Sequence, residues 1–103
     1  MWNEPRPVPR DYLLKHVSGV DGLYCLHSDK IDKQLLDAAG PNLKVIATMS
    51  VGYDHIDLPL VKAAGVKVGN TPGVLTDATA ELTVAVLLAA SRRLFESREE
   101  LLK

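Results

Sequence analysis

The amino-acid sequence predicts an α/β fold built on a parallel sheet, and three observations carry this prediction. Short apolar runs alternate with stretches whose apolar residues recur at helical spacing, which is typical of successive strand and helix units. Residues 36–40 resemble residues 61–65, and each segment ends a predicted helix just before a predicted strand. The composition is that of a globular chain, since 47% of the 103 residues are hydrophobic and 24% are charged. One domain with one modest core is therefore expected.

The first part of the chain is predicted to run from an extended opening through a helix and a strand into a second helix. Three prolines among residues 5–9 stiffen the opening, and residues 12–17 then give a short apolar helical face. Residues 22–26 form the first predicted strand. Residues 31–39 return to helical spacing and end at Gly40, because glycine commonly follows the end of a helix.

The middle of the chain repeats this alternation. Residues 43–48 form the second predicted strand and residues 66–68 the third. Between them a helix opens at Asp57, has Pro59 near its first turn, and closes at Gly65. Apolar residues fill nearly every position of the strands, which indicates a sheet covered on both faces. Because three strands are too few for a complete doubly wound sheet, we expect the sheet to be incomplete and the chain to be part of a longer protein.

The last part of the chain is predicted to be helical. Thr76 or Asp77 is expected to cap a helix whose residues 80–93 form the most apolar stretch of the sequence. A second, shorter helix is predicted over residues 96–103. The longest apolar run, residues 82–90, is far shorter than the roughly 20 residues that span a bilayer, so no membrane partner is expected.

Charge and cysteine content exclude several classes of protein. A net charge of −1 gives no reason to expect nucleic acid or an anionic membrane as a partner. The single cysteine, Cys25, cannot form an internal disulfide, and the first residues show no targeting segment. We therefore expect a cytoplasmic protein.

Metal, nucleophile and phosphate-loop chemistry find little support in the sequence. The possible zinc ligands lack the paired spacing of a zinc site; they are His16, His27, His55 and Cys25. No Gly-x-Ser-x-Gly nucleophile motif occurs. No two of the seven glycines are two residues apart, so the 103 residues contain no Gly-x-Gly-x-x-Gly dinucleotide fingerprint.

Two loops at the predicted carboxyl ends of strands are candidate sites, because ligands of open parallel sheets bind there. After the second strand, Gly52 lets backbone amides approach an anion with no Cβ in the way. The alternative is that Gly52 only supplies a positive φ for the turn and that Asp54 and Asp57 act as caps. After the third strand, residues 69–73 lead to a helix N-terminus, which either suits a ligand anion or is simply a capped helix after a proline turn.

Residues 43–57 and 63–82 closely resemble the D-isomer-specific 2-hydroxyacid dehydrogenases. The Ser-Val-Gly-Tyr-Asp turn of residues 50–54 carries the resemblance, together with the segment from Asn-Thr-Pro to Thr-Ala-Glu at residues 70–81. The two motifs occur at the family's spacing, and the resemblance covers most of the chain.

The resemblance implies a split-domain enzyme whose flavodoxin-like (Rossmann-type) substrate-binding domain is interrupted by a nucleotide-binding domain. Residues 1–75 would be a partial substrate-binding (catalytic) domain that lacks its first strand. Residues 76–103 would be the inter-domain hinge helix that leads to the nucleotide-binding domain. That domain would lie outside this chain, as would the family's fingerprint glycines, its substrate-binding arginine and its pair of glutamate and histidine.

The resemblance also assigns roles to four residues. Val51 and Gly52 match the turn whose backbone amides hold the substrate carboxylate. Thr79 matches a position near the nicotinamide half of the cofactor, and Leu75 would line the same cleft. No catalytic residue and no metal ligand is expected in this chain, so His55 is expected to cap or pack the turn rather than to donate a proton.

The implied activity is transfer of a hydride from NADPH or NADH to a small 2-oxo acid, such as glyoxylate or hydroxypyruvate, to give the D-2-hydroxy acid. We expect the complete enzyme to be a homodimer and this chain alone to be inactive. One alternative is a non-catalytic binding module, like the corepressors that share the fold, although residues 48–52 are more similar to the reductase branch. Another is an unrelated receiver-like or flavodoxin-like module, which would need an acidic cluster or a phosphate loop that the sequence lacks.

Overall fold

The computed structural model describes residues 2–103, which form three strands and five helices. In chain order these elements are α1 (Arg10–His16), β1 (Gly22–Cys25), α2 (Lys33–Ala39), β2 (Val45–Thr48), α3 (Leu58–Ala63), β3 (Lys67–Gly69), α4 (Thr76–Ser91) and α5 (Leu94–Leu101). The chain divides after Pro72 into two compact units. The first unit holds the sheet with α1 to α3, and the second holds α4 and α5.

The strands of the first unit form one parallel sheet in the order β1-β2-β3. Ile46 in the central strand pairs with Leu23 on one side and with Val68 on the other. The predicted α/β fold with a parallel sheet is confirmed, and the ends of each strand differ from the prediction by at most two residues. Because the strands are parallel, their carboxyl ends lie at one edge of the sheet.

The core of the first unit lies on one face of the sheet. Cys25 and Ile46 point into this core and are at most 1% exposed. Leu35 of α2 and Val61 of α3 belong to the same buried cluster, so both helices pack on this face. The expectation that the sheet is covered on both faces is wrong for this chain, because Val45 on the opposite face is 44% exposed. Helix packing, rather than the apolar character of the strands, decides which face is buried.

Aspartate side chains cap the N-termini of the two helices that follow β1 and β2. Asp32 accepts a hydrogen bond of 3.1 Å from the N–H of Leu35 at the start of α2. Asp57 accepts one of 3.2 Å from the N–H of Leu60 at the start of α3. These side chains satisfy N–H groups that the first turn of a helix leaves without an intrahelical partner. The predicted helix opening at Asp57 is therefore confirmed.

The long helix of the second unit begins earlier than the most apolar stretch of the sequence. Leu75 occupies the N-cap position and makes no side-chain cap. The expected cap by Thr76 or Asp77 is wrong, because both residues lie inside the first turn. In the first turn, the negative carboxylate of Asp77 interacts favourably with the partial positive charge of the helix N-terminus.

A left-handed residue separates the two helices of the second unit. Arg93 has a φ of 50°, and α5 begins directly after it at Leu94 rather than at residue 96. The apolar side chains of α4 are largely exposed, with Leu82 at 64% and Leu87 at 65%. Across residues 2–103, every helix is too short or too polar to cross a membrane.

Candidate functional site

The candidate site of the first unit is the loop that follows β2, and the loop that follows β3 holds it in place. The N–H of Thr71 donates a hydrogen bond of 3.0 Å to the carbonyl oxygen of Ser50. The side chain of Asn70 donates one of 2.9 Å to the carbonyl oxygen of Val51. Both loops leave the sheet at the carboxyl ends of neighbouring parallel strands, which explains why residues so far apart in sequence meet.

The carbonyl groups of this loop are hydrogen-bonded within the described part of the chain, whereas its amide groups are not. The carbonyl oxygens of three successive residues, Ser50, Val51 and Gly52, each accept a hydrogen bond from the chain. The N–H groups of Val51 and Gly52, like those of their neighbours up to His55, meet no acceptor among residues 2–103. The loop therefore turns its acceptors toward the protein and keeps its donors free. A row of free N–H groups is suited to an anion.

The backbone at Gly52 does not adopt the conformation that the alternative interpretation required. Its φ is outside the left-handed region, so the expectation of a positive φ at this position is wrong. A Cβ built at Gly52 would meet only the Oδ2 of Asp54, at 3.9 Å. Asp57, not Asp54, is the N-cap of the following helix. The fold of this chain thus tolerates a side chain at position 52, and the open space beside Gly52 is free for a ligand.

His55 packs behind the loop. The Nε2 of His55 lies 3.0 Å from the Oγ1 of Thr48, and Thr48 is only 2% exposed. The carbonyl oxygen of His55 accepts a hydrogen bond from the N–H of Ile31. Thr48 Oγ1 in turn lies 2.8 Å from Ser50 Oγ, and Ser50 Oγ donates to the carbonyl oxygen of Gly52 over 2.7 Å.

The number of available hydrogens determines which group is the donor in each of these hydrogen bonds. A carbonyl can only accept, so Ser50 uses its single hydroxyl hydrogen on Gly52. Ser50 must then accept from Thr48, and Thr48 must accept from Nε2 of His55. His55 is therefore protonated on Nε2 and acts as a donor to the interior of the loop. Sequence reasoning missed Thr48, Ser50 and Asn70 as supports, because such hydrogen bonds leave no spacing pattern in a sequence.

The other two predicted site residues lie together at the start of α4 in the second unit. The hydroxyl of Thr79 donates a hydrogen bond of 2.8 Å to the carbonyl oxygen of Leu75, which also accepts from the N–H of Thr79 at 2.9 Å. The hydroxyl hydrogen of Thr79 is thus used within the helix, and its oxygen can still accept a hydrogen bond. Leu75 is 38% exposed, so an apolar surface and an acceptor lie one turn apart.

Other parts of the described chain offer less chemistry. No group of three or more histidine, cysteine, aspartate or glutamate side chains among residues 2–103 is arranged to hold a metal ion. Burial raises the pKa of the Cys25 thiol, which keeps it neutral and a poor nucleophile. A cavity of about 790 Å³ opens between the amino-terminal segment and β1, where Trp2, Tyr12 and Tyr24 contribute to its lining. None of the four predicted site residues lines this cavity.

One family model and several known proteins are similar to this chain. The model described as D-isomer specific 2-hydroxyacid dehydrogenase, catalytic domain, matches residues 2–102. The glyoxylate reductase/hydroxypyruvate reductase of Mus musculus is 58% identical over 99 residues, which make up 96% of this chain and 30% of that protein. The chain thus spans about 30% of the length of this curated relative and of its Homo sapiens counterpart.

Two solved structures extend the comparison to three dimensions. The TT0316 protein from Thermus thermophilus is 50% identical and has a TM-score of 0.81, covering 87% of this chain and 29% of its own. The 3-phosphoglycerate dehydrogenase of Entamoeba histolytica, whose structure contains NAD+, is 28% identical with a TM-score of 0.69 and covers 80% of this chain and 26% of its own.

Proposed function

Because the chain belongs to the D-isomer-specific 2-hydroxyacid dehydrogenase family, we propose that it is the part of a 2-oxo acid reductase that holds the substrate carboxylate. The complete enzyme transfers a hydride from NADPH or NADH to a small 2-oxo acid, such as glyoxylate or hydroxypyruvate, and produces the D-2-hydroxy acid. In this proposal residues 1–75 contribute to the substrate-binding domain, and residues 76–103, with α4 as the hinge helix, lead toward a nucleotide-binding domain. The name of the Mus musculus relative, glyoxylate reductase/hydroxypyruvate reductase, supports the choice of substrates.

The free amides of Val51 and Gly52 are the observation that carries this proposal. A 2-oxo acid brings a carboxylate, and a carboxylate needs donors that no protein group already uses. The neighbouring carbonyls, which would repel it, are engaged by Thr71, Asn70 and Ser50. Each charge-assisted hydrogen bond from an amide to the carboxylate contributes about 1.5 to 3 kcal/mol. Two such bonds hold the acid by its carboxylate and leave its 2-oxo group without a partner among these amides.

The residues of this chain fit one end of a nicotinamide dinucleotide. Leu75 offers exposed apolar surface for the nicotinamide ring, and the oxygen of Thr79 accepts from an amide such as the carboxamide group of that ring. The cofactor, when bound, supplies the hydride. The 103 residues contain no glycine-rich fingerprint for its phosphates, so we assign phosphate binding to no residue of this chain.

The reduction also needs a proton for the alkoxide that forms, and we assign this role to none of His16, His27 and His55. His55 already donates its Nε2 hydrogen to Thr48, so that hydrogen faces the interior of the loop. We propose that the isolated chain is inactive because none of its residues is assigned as proton donor or as a binding site for the cofactor phosphates. We further propose a cytoplasmic location, since Cys25 is the single cysteine of these 103 residues, and a homodimer for the complete enzyme.

A chimera tests the proposed function. The 99 aligned residues of the Mus musculus enzyme are replaced by those of this chain, and oxidation of NADPH or NADH is followed by absorbance with glyoxylate or hydroxypyruvate. We expect the chimera to reduce both acids and the isolated 103-residue chain to show no turnover above a blank. A folded chimera that binds cofactor but reduces neither acid would contradict the proposal.

A further inference from the structure

Two peptide groups set the directions of the two amides in the proposed carboxylate site. The peptide bonds of the loop are trans, and in a planar trans unit the carbonyl of one residue and the N–H of the next point in opposite directions. The carbonyl of Ser50 therefore fixes the N–H of Val51, and the carbonyl of Val51 fixes the N–H of Gly52.

Different groups hold these two carbonyls. The carbonyl of Ser50 accepts from a backbone N–H, that of Thr71, so no side chain is needed there. The carbonyl of Val51 accepts from the side chain of Asn70, at 2.9 Å. Because that carbonyl is only an acceptor, the atom of Asn70 that faces it must be the Nδ2 donor and not Oδ1.

We propose that Asn70 is a positioning residue for substrate binding, which turns the N–H of Gly52 toward the substrate carboxylate by holding the carbonyl of Val51. The proposal rests on the carboxylate site proposed above and adds a residue from the loop after β3 to it. Without this bond the exposed peptide group between Val51 and Gly52 is free to rotate about its neighbouring dihedrals. A rotated peptide group would present a carbonyl oxygen to the anion in place of a donor.

The Ser50 hydroxyl provides a matched comparison in the same loop. It holds the carbonyl of Gly52, so it sets the direction of the N–H of Tyr53 and not that of Gly52. Loss of the Ser50 hydroxyl and loss of the Asn70 side chain are thus expected to turn two different, adjacent N–H groups.

The test uses the isotopically labelled 103-residue chain and two measurements by nuclear magnetic resonance. Residual dipolar couplings give the direction of each N–H without ligand, with the amides of β2 and β3 as the reference frame. Titration with glyoxylate gives the affinity from the shifts of the Val51 and Gly52 amides. The variants are Asn70→Ala and Ser50→Ala, together with Asn70→Asp, which keeps the shape of the side chain but cannot donate when ionised.

In both Asn70 variants we expect the Gly52 N–H to lose its direction. In Asn70→Ala the affinity for glyoxylate should fall about threefold to tenfold, the range of one ordinary hydrogen bond, and in Asn70→Asp it should fall further because the added charge also repels the acid. Ser50→Ala is expected to turn the Tyr53 N–H and to leave the Gly52 N–H in place. A Gly52 N–H that keeps its direction in folded Asn70→Ala or Asn70→Asp overturns the positioning role. If glyoxylate shifts neither amide in the unmodified chain, the carboxylate site itself is wrong, while the couplings still decide whether Asn70 orients Gly52.

Discussion

Ile46 and Val45 are neighbours on β2, yet Ile46 is fully buried and Val45 is 44% exposed. Successive side chains of a strand point to opposite faces of the sheet, and only the face that carries Ile46 packs against the helices of the first unit.

Truncation at these two positions should therefore have unequal effects. We expect Ile46→Ala to lower the free energy of unfolding by about 2 to 5 kcal/mol, because it removes buried methyl groups and leaves a cavity. Val45→Ala should cost less than about 1 kcal/mol, the range of strand propensity. Urea unfolding of both variants measures the difference, and equal losses would show that the exposed face is covered in solution.

A side chain at position 52 should separate binding from folding. An added methyl group at Gly52 meets only Asp54, at 3.9 Å, so Gly52→Ala should leave the stability of the chain unchanged or raise it by about 0.4 to 1 kcal/mol. In the chimera the same change crowds the approach to the amide and should lower kcat/KM for hydroxypyruvate about tenfold or more.

Gly69→Ala is the control for this prediction. Gly69 also lacks a positive φ, and a Cβ there meets nothing within 4 Å. Its kcat/KM should match that of the unmodified chimera. If Gly52→Ala behaves like Gly69→Ala, the amides of this loop do not hold the substrate carboxylate.

Two threonines of α4 allow a matched test of the cofactor role. Thr79 and Thr83 each donate a hydroxyl hydrogen to the carbonyl four residues earlier, at 2.8 Å and 2.7 Å. Thr79→Val in the chimera should raise the Kd of the reduced cofactor about threefold to tenfold, since it removes one acceptor. Thr83→Val removes the same kind of helix contact and should leave that Kd unchanged. Equal effects in a fluorescence titration would assign both to helix stability alone.

The stability of the chain should depend on pH through Asp32. Burial acts to raise the pKa of this carboxyl, but the N–H of Leu35 and the guanidinium of Arg10 together outweigh it, so the pKa lies below its ordinary value. The contribution to stability is therefore fully present above the ordinary pKa of about 3.8 and is lost as the pH falls through the lower folded value.

Asp32→Asn keeps an oxygen that caps α2 but does not titrate. Between pH 7 and pH 3 the unmodified chain should lose more unfolding free energy than this variant does. At pH 7, Asp32→Ala should lose about 0.5 to 2 kcal/mol because it removes the cap. An identical acid dependence in the unmodified chain and Asp32→Asn would show that Asp32 does not contribute to it.

The amino-acid sequence alone was enough to predict the parallel α/β fold, the order of the elements along the chain and the family. These features depend on local signals: apolar runs for the strands, Asp57 and Pro59 at the start of α3, and the Ser-Val-Gly-Tyr-Asp turn of residues 50–54. The sequence also pointed to Gly52, because a glycine after a parallel strand is a local feature, and the resemblance to the family added Val51. It did not determine why glycine stands at position 52, since both a positive φ and an open approach fitted the same pattern.

The buried face of the sheet and the groups that hold the loop after β2 became apparent only in the folded chain. Burial of Ile46 but not Val45 depends on where the helices pack, and both residues are equally apolar in the sequence. The bond between Asn70 and Val51 joins residues 19 positions apart, and the row from His55 through Thr48 to Ser50 forms only once the loop has folded back on β2. Such contacts arise from parallel strands ending at the same edge, a relation in space that no periodicity along the chain records.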